Sequence, residues 1–120
     1  MLILVDQNGP LADFEGGLRE KMRSYPREIV NSVVEYEDRV NFYAVDDYPE
    51  HLRYLVSETI TQPGFFRNLG LVPGARESLL DILEAGHEVR ICTSPLTEYR
   101  NCVTEKFEWV ERHFGAEFVR

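Results

Sequence analysis

Cysteine and basic residues are both scarce in this sequence. Two cysteines among 120 residues are too few for a disulfide framework or a four-cysteine metal site. Thirteen Lys and Arg stand against 21 Asp and Glu, and the resulting net charge of -8 would repel a nucleic acid polymer. No apolar run is long enough to cross a membrane, and no secretory signal is recognisable. We therefore expect a reducing, cytoplasmic setting, with neither nucleic acid polymers nor membranes as partners.

Hydrophobic residues are plentiful by contrast. They form 43% of the chain and include seven Phe, six Tyr and one Trp, which is enough for the packed core of one domain. A small phosphorylated ligand remains compatible with the acidic composition, because such a ligand needs only a local positive pocket.

Two short apolar runs predict β-strands, at residues 2–6 (LILVD) and 88–93. Continuous runs of this length are typical of strands buried on both faces, so Cys92 is expected to be a buried thiol. Amphipathic segments predict helices over about residues 13–25, 49–61, 75–85 and 103–114. Gly86 is expected to end the third of these helices. The order strand, helices, strand, helix predicts an α/β fold with parallel strands.

Spacing within two of these helices predicts which apolar side chains are buried. Leu79, Leu80 and Leu83 are expected to share one side of the third helix. The spacing in the last helix predicts a buried face formed by Phe107, Val110 and Phe114.

Polar residues follow each predicted strand. Asp6 ends the first strand, and Thr93 and Ser94 end the second. Because the carboxyl ends of parallel strands meet at one edge of a sheet, where ligands bind, these side chains are candidates for a common site. Asp6 could face a ligand and a hard cation, and the hydroxyls could hold phosphate oxygens. Ordinary turn and capping roles are the alternative for all three residues.

Candidates elsewhere in the sequence are one lysine and a group of aromatic residues. Lys106, near the start of the last helix, could point toward an anion at the sheet edge or could be a solvated lysine. The aromatic residues could form a pocket for a nucleobase or could pack in the core. These residues are Phe14, Phe42, Tyr43, Phe65 and Phe66.

Five ordered segments resemble a known family. They read LVDQNGPLADFEGGLREK, NFYAVDDY, PGFFRNLGLVPGA, VRICTSPL and CVTEKFEWVERHFG. They are similar to successive blocks of the 5'(3')-deoxyribonucleotidases, of the haloacid-dehalogenase-like (HAD-like) superfamily, whose opening motif is Asp-x-Asp-Gly-Val-Leu-Ala-Asp-Phe-Glu. The resemblance implies a partial Rossmann-like, HAD-type parallel sheet, with a small helical cap inserted after the first strand. The core would comprise residues 1–15 and 73–120, and the cap residues 16–72.

The resemblance also implies a chemistry and assigns residues to it. The family members are Mg²⁺-dependent phosphohydrolases that dephosphorylate deoxyribonucleoside monophosphates through an aspartyl-phosphate. Asp6 falls on the nucleophile, which also binds the metal, as does the backbone carbonyl at position 8. Phosphate binding falls on Thr93, Ser94 and Lys106. Contacts to base and sugar fall on Phe14, Phe42, Tyr43 and Phe66.

Two departures from the family pattern bear on activity. Asn8 occupies the position of the general acid/base, and an amide cannot perform that proton transfer. In the family, later strands carry a phosphate-binding lysine and two metal-binding aspartates, and the sequence in hand ends before them. We therefore expect weak or no activity from this chain, and pairing of its first strand with another chain because that strand lacks a neighbour. A degenerate nucleotide-binding or interaction protein, or an engineered or shortened form, stays an open alternative.

Overall fold

A computed structural model describes residues 1–93 and 102–115 of the chain. Its two strands and five α-helices, in chain order, are β1 (Leu2–Asp6), α1 (Phe14–Arg23), α2 (Arg27–Val30), α3 (Arg53–Ile60), α4 (Ala75–Glu84), β2 (Glu88–Cys92) and α5 (Cys102–Phe114). Short 3₁₀ turns lie at Tyr36–Asp38, Ala44–Asp47 and Glu50–Leu52. This mixture of helices and strands confirms the predicted α/β class. The sequence did not predict α2 or the first two 3₁₀ turns, which lack a sustained apolar period.

The sheet is a parallel pair, as predicted. β1 lies beside β2 with Leu2 opposite Glu88 and Asp6 opposite Cys92. The pairing continues one residue further, because the Gln7 amide donates to the Cys92 carbonyl at 3.0 Å. This register places Asp6 and the start of the segment after Cys92 at the same edge of the sheet.

Burial of the two strands differs from the prediction. Leu2 and Leu4 are 54% and 64% exposed, whereas Val5 is half-buried and Val89 is buried. Cys92 is exposed as well, so the expectation of a buried thiol is wrong. α4 packs against β2 and lies along Val5, which accounts for one covered face. A five-residue apolar run does not reveal how many faces of a strand are covered, which is why the prediction of two buried faces failed.

The helices follow local signals for the most part. Asp13 caps α1 by accepting a hydrogen bond from the Gly16 amide at 2.9 Å. Gly86 follows α4 with a φ of 89°, the left-handed conformation expected of a glycine that ends a helix. Leu80 and Phe107, however, are exposed, so both predicted faces are wrong at one position. The buried stripe of α5 consists instead of Cys102, Glu105, Lys106, Trp109 and Val110.

Trp109 lies at the centre of one hydrophobic core. Its side chain is fully buried, and its indole N–H donates to the Leu69 carbonyl at 2.7 Å. The same cluster includes Met22 and Val56, so it joins residues of the predicted cap to residues of the predicted core. The division of the chain into cap and core stays a prediction. No helix among the described residues is long and apolar enough to span a membrane.

We expect Trp109→Phe to lower the free energy of unfolding by about 3 kcal/mol. The change leaves a gap in the core and deprives the buried Leu69 carbonyl of its donor. Urea denaturation followed by circular dichroism measures the difference. The matched control is Phe107→Leu on the exposed side of the same helix, expected to change stability by no more than about 0.5 kcal/mol. Equal effects of the two substitutions would contradict the central role of Trp109.

Candidate functional site at the carboxyl edge of the sheet

The ends of the two strands bring Asp6 and Thr93 to one edge. Asp6 is the last residue of β1 and is exposed, and Thr93 directly follows β2. The register of the parallel pair sets this proximity, since Asp6 lies opposite Cys92. Ser94, the other predicted phosphate-binding residue of this segment, lies outside the described residues.

The loop after β1 folds back on itself. The Gln7 carbonyl accepts hydrogen bonds from the amides of Leu11 and Ala12, at 3.2 and 2.8 Å, and the Gly9 amide donates to the Ala12 carbonyl at 2.9 Å. Gly9 has a φ of 102°, a conformation that strongly favours glycine. Asn8 is therefore held in a closed turn immediately beyond Asp6.

Gln7 fixes this loop to α5. Its side chain is buried, and its amide nitrogen Nε2 donates to the Lys106 carbonyl at 3.2 Å. The sequence did not mark Gln7 as functional, because a glutamine between two motif residues has no distinctive spacing. Its contact ties the loop that carries Asn8 to the helix that carries Lys106.

Lys106 joins the sheet edge to an aromatic cluster. Its side chain is only 2% exposed, and Nζ donates to the Thr93 hydroxyl at 2.8 Å. The same Nζ lies 5.2 Å from the centroid of the Phe66 ring, within the range of a cation–π interaction. Burial lowers the pKa of Lys106, while the nearby Cys102 and Asp6 act to raise it. The solvated alternative for this lysine is wrong.

Three phenylalanines form the cluster beside Lys106. The Phe14 ring stacks on Phe66 with a centroid distance of 6.2 Å, and it meets Phe65 edge-on at 5.8 Å. Phe65 and Phe66 are buried, and Phe14 is partly buried. Core packing therefore accounts for much of this cluster, while Phe66 also lies directly beneath the lysine ammonium.

Phe42 and Tyr43 lie apart from that cluster in the contacts that the described residues make. Phe42 is 90% exposed, and its ring meets that of Tyr43 edge-on at 5.0 Å. Both rings are exposed and are therefore accessible to a ligand. Their predicted role in substrate binding stays a prediction.

A partly buried ion network holds the segment that carries this aromatic pair. Arg39 forms ion pairs with Glu15 of α1 and with Asp47. The Asp47 carboxylate also accepts hydrogen bonds from the backbone amides of Val40 and Asn41, at 3.1 and 3.0 Å. Burial raises the pKa of Asp47, but these amides and the guanidinium outweigh burial and lower it to about 2. The sequence did not predict this network, because nothing in the spacing of these charges identifies them as partners.

The residues at the sheet edge match Mg²⁺ in ligand type. Asp6 offers a carboxylate, and the Asn8 carbonyl accepts no hydrogen bond from the backbone amides that the structure describes. Such hard oxygens suit Mg²⁺, which commonly keeps water and phosphate oxygens as its remaining ligands. Across residues 1–93 and 102–115, no group of three or more His, Cys, Asp or Glu side chains is placed to hold a metal. Among the described residues, the candidate Mg²⁺ ligands at this edge thus include one carboxylate, that of Asp6.

An apolar cavity of about 240 Å³ lies elsewhere, between β1, the loop after it and α4. Val5, Leu11 and Leu79 are among its lining residues. It contains none of the residues at the carboxyl edge, so we assign it no role in the chemistry.

The family model and the individual proteins that match this chain all have deoxyribonucleotidase descriptions. The sequence model of the family described as "5' nucleotidase, deoxy (Pyrimidine), cytosolic type C protein" matches residues 1–119. A Bordetella bronchiseptica protein, provisionally named 5'(3')-deoxyribonucleotidase, is 47% identical over 117 residues, covering 98% of this chain and 62% of that protein. The human cytosolic-type 5'(3')-deoxyribonucleotidase is 42% identical over 123 residues, covering 98% and 59%. The chain therefore spans about three-fifths of the length of these relatives.

Because the pKa of Asp47 falls from 3.8 to about 2 on folding, its ionised form stabilises the native state. That contribution is complete above about pH 4 and is lost as the pH falls toward 2. We expect Asp47→Asn to lower the melting temperature at pH 7, and the gap between variant and parent to narrow below pH 4. Thermal unfolding at several pH values measures both effects.

The neighbouring exposed acid supplies the control for this measurement. Asp46→Asn leaves the contacts of the Asp47 carboxylate in place. We expect it to change the free energy of unfolding by no more than about 0.5 kcal/mol, and so to leave the melting temperature nearly unchanged. A gap between Asp47→Asn and the parent that stays constant down to pH 2 would contradict the assigned role of the Asp47 charge.

Proposed function

Because the chain belongs to the 5'-nucleotidase, deoxy (pyrimidine), cytosolic type C family, we propose that it binds a deoxyribonucleoside monophosphate at the carboxyl edge of its sheet. The observation that carries the proposal is the contact between Lys106 and Thr93 beside Asp6. A cation and a hydroxyl together suit phosphate oxygens, and a carboxylate nearby suits attack on phosphorus.

The proposed reaction is phosphate removal in two steps. Asp6 attacks phosphorus, the bond from phosphorus to the sugar oxygen breaks, and water then hydrolyses the aspartyl-phosphate. Lys106 and Thr93, with Ser94 as a further expected donor, orient the phosphate and offset its charge. When bound, Mg²⁺ neutralises charge between the two anions, and the Asp6 carboxylate and the Asn8 carbonyl would hold it.

Asn8 limits this reaction. The leaving sugar oxygen needs a proton, and the attacking water must lose one. A carboxyl group at position 8 could perform both transfers, whereas an amide can perform neither. Positioned acid/base catalysis contributes about 10²- to 10⁴-fold, so we infer that the turnover of this chain is reduced by at least about 10²-fold.

Asn8 also favours a second function, which is nucleotide binding without turnover. The two residues proposed to hold phosphate, Lys106 and Thr93, contact each other. Phe66 lies beneath the Lys106 ammonium and stacks on Phe14, whose partly buried ring is the more accessible of the two to a base. Phe42 and Tyr43 are proposed to close on the base from the exposed segment. Binding would then persist where chemistry is lost.

For the setting, we propose a reducing compartment such as the cytosol. Cys92 is a free, exposed thiol, and Cys102 is buried. An exposed free thiol is compatible with a cytosolic protein.

The free edge of β1 supports a further proposal, which is pairing with a second copy of the chain. Among the described residues β1 pairs only with β2, and Leu2 and Leu4 are exposed. Isolated two-stranded sheets have marginal stability, and open apolar edges recruit another strand. A β1–β1 contact would give a four-stranded sheet in a two-fold dimer.

Replacing the amide at position 8 tests the catalytic proposal. We expect Asn8→Asp to raise phosphate release from dTMP by at least about 10²-fold in the presence of Mg²⁺, because it supplies the missing proton donor. Addition of EDTA should abolish the gain. A colorimetric phosphate assay on the 120-residue chain measures release.

The controls for this assay separate binding from chemistry. Asp6→Asn in the Asn8→Asp background should remove turnover but keep dTMP binding, measured by calorimetry. Glu88→Gln, at the opposite end of the sheet from Asp6, should change neither. Turnover by the parent chain equal to that of Asn8→Asp would refute the role assigned to position 8. Failure of the parent to bind dTMP would refute the binding function.

Light scattering tests the proposed pairing of β1. We expect the parent chain to show a concentration-dependent molar mass approaching twice its 14.0 kDa. Leu4→Lys should return it to a monomer, since lysine on an edge strand opposes pairing. Leu80→Lys, at an exposed leucine of α4, is the matched control and should leave the dimer intact. A parent chain that stays monomeric at all concentrations would overturn the proposal.

A further inference from the structure

Glu105 is a buried carboxylate to which the proposed reaction gives no role. It lies on α5, is 1% exposed, and accepts two backbone hydrogen bonds from another segment. Its Oε2 accepts from the Gly64 amide at 2.9 Å, and its Oε1 accepts from the Arg67 amide at 3.3 Å. The Arg67 guanidinium lies 3.8 Å from the same carboxylate. A buried charge needs such donors, because it has given up its hydration.

These two amides bracket a turn that carries two buried rings. Residues 64–67 read Gly-Phe-Phe-Arg, and Gly64 has a φ of 90° that strongly favours glycine. Glu105 therefore holds the turn at both ends, with Phe65 and Phe66 between them. The position of the Phe66 ring is fixed relative to α5 by backbone contacts as well as by apolar packing.

The next residue of α5 serves the phosphate end of the site. Lys106 donates to Thr93 and lies over the Phe66 ring. Two consecutive residues of the helix thus contact both parts of the proposed ligand site, with Lys106 at the carboxyl edge of the sheet and Glu105 at the turn that carries the ring. The distance between the phosphate donors and the ring depends on this pair of anchors.

We propose that Glu105 is a positioning residue that sets the Phe66 ring at the distance from Lys106 that a nucleoside monophosphate requires. The proposal rests on the proposed nucleotide-binding function and assigns that site a determinant of nucleoside recognition. Glu105 does not touch the ligand. It acts through the turn at residues 64–67, so its removal should weaken contacts to the base while leaving phosphate contacts in place.

Calorimetric titration with two ligands separates these contributions. The parent chain and Glu105→Gln are titrated with dTMP and, separately, with inorganic phosphate. Glutamine keeps the shape of the side chain but replaces one acceptor by an NH₂ group that faces a backbone N–H. We expect the dissociation constant for dTMP to rise about tenfold, the scale of one base–aromatic contact, and that for phosphate to change less than about twofold.

Glu108→Gln is the matched control. Glu108 lies one turn along α5 and pairs with the Arg67 side chain at 2.7 Å, but the Gly64 and Arg67 amides bond to Glu105. It should leave both dissociation constants unchanged. A double-mutant cycle with Phe66→Leu supplies a readout that general destabilisation would not give. If Glu105 acts through the ring, Glu105→Gln should have little further effect on dTMP binding once Phe66 is replaced.

Hydrogen exchange in the unmodified chain keeps the test decisive if Glu105→Gln does not fold. The amides of Gly64 and Arg67 should gain protection on addition of dTMP and not on addition of phosphate. The positioning role would be overturned if Glu105→Gln weakened the binding of dTMP and of phosphate equally, or if its effect on dTMP binding were additive with that of Phe66→Leu. Equal protection of the two amides by both ligands would overturn it as well. A parent chain that binds phosphate but not dTMP would instead refute the nucleotide-binding function from which the role was inferred.

Discussion

The buried ammonium of Lys106 is the constraint on which the candidate site depends. A lysine that is 2% exposed has lost most of its hydration and must find compensating contacts. The structure supplies the Thr93 hydroxyl, the face of Phe66 and the nearby charge of Asp6. These partners come from the residue after β2, from the turn after α3 and from the end of β1, so one side chain links three separate parts of the fold. A phosphate dianion at the same edge would add the opposite charge that a buried cation favours.

The elements that place Asp6 and Thr93 could be predicted because they depend on local patterns. Apolar runs indicated both strands, and the order strand, helices, strand indicated their parallel arrangement, which puts both strand ends at one edge. The exposure of Leu4 could not be predicted in this way, since it depends on what packs against the second face of the sheet. The prediction that Phe107 is buried failed for a related reason. The buried stripe of the helix contains Trp109 and excludes Phe107, and it includes two charged residues that a hydropathy pattern assigns to solvent.

The spacing of α5 nevertheless contained a signal for these charges. Positions 102, 105, 106, 109 and 110 repeat at helical intervals, so Cys102, Trp109 and Val110 already indicate that Glu105 and Lys106 face the core. The partners of these residues were beyond prediction from one sequence. Glu105 bonds to a turn about 40 residues earlier in the chain, and Arg39 bridges a helix and a 3₁₀ turn. Such pairs depend on three-dimensional proximity that no local periodicity encodes.

Asn8 separates two requirements that a phosphatase normally meets in one place. Holding a phosphate requires positive charge and hydrogen-bond donors, which Lys106 and Thr93 would provide without a proton transfer. Breaking the ester requires a group that gives and takes a proton, and an amide has no such equilibrium near neutral pH. The turn that holds position 8 depends on Gly9 and on backbone hydrogen bonds rather than on the side chain at that position. Under the proposed function, an amide at position 8 would therefore leave the geometry of the edge intact and remove only its proton chemistry, so that ligand binding and turnover would be physically independent properties of this chain.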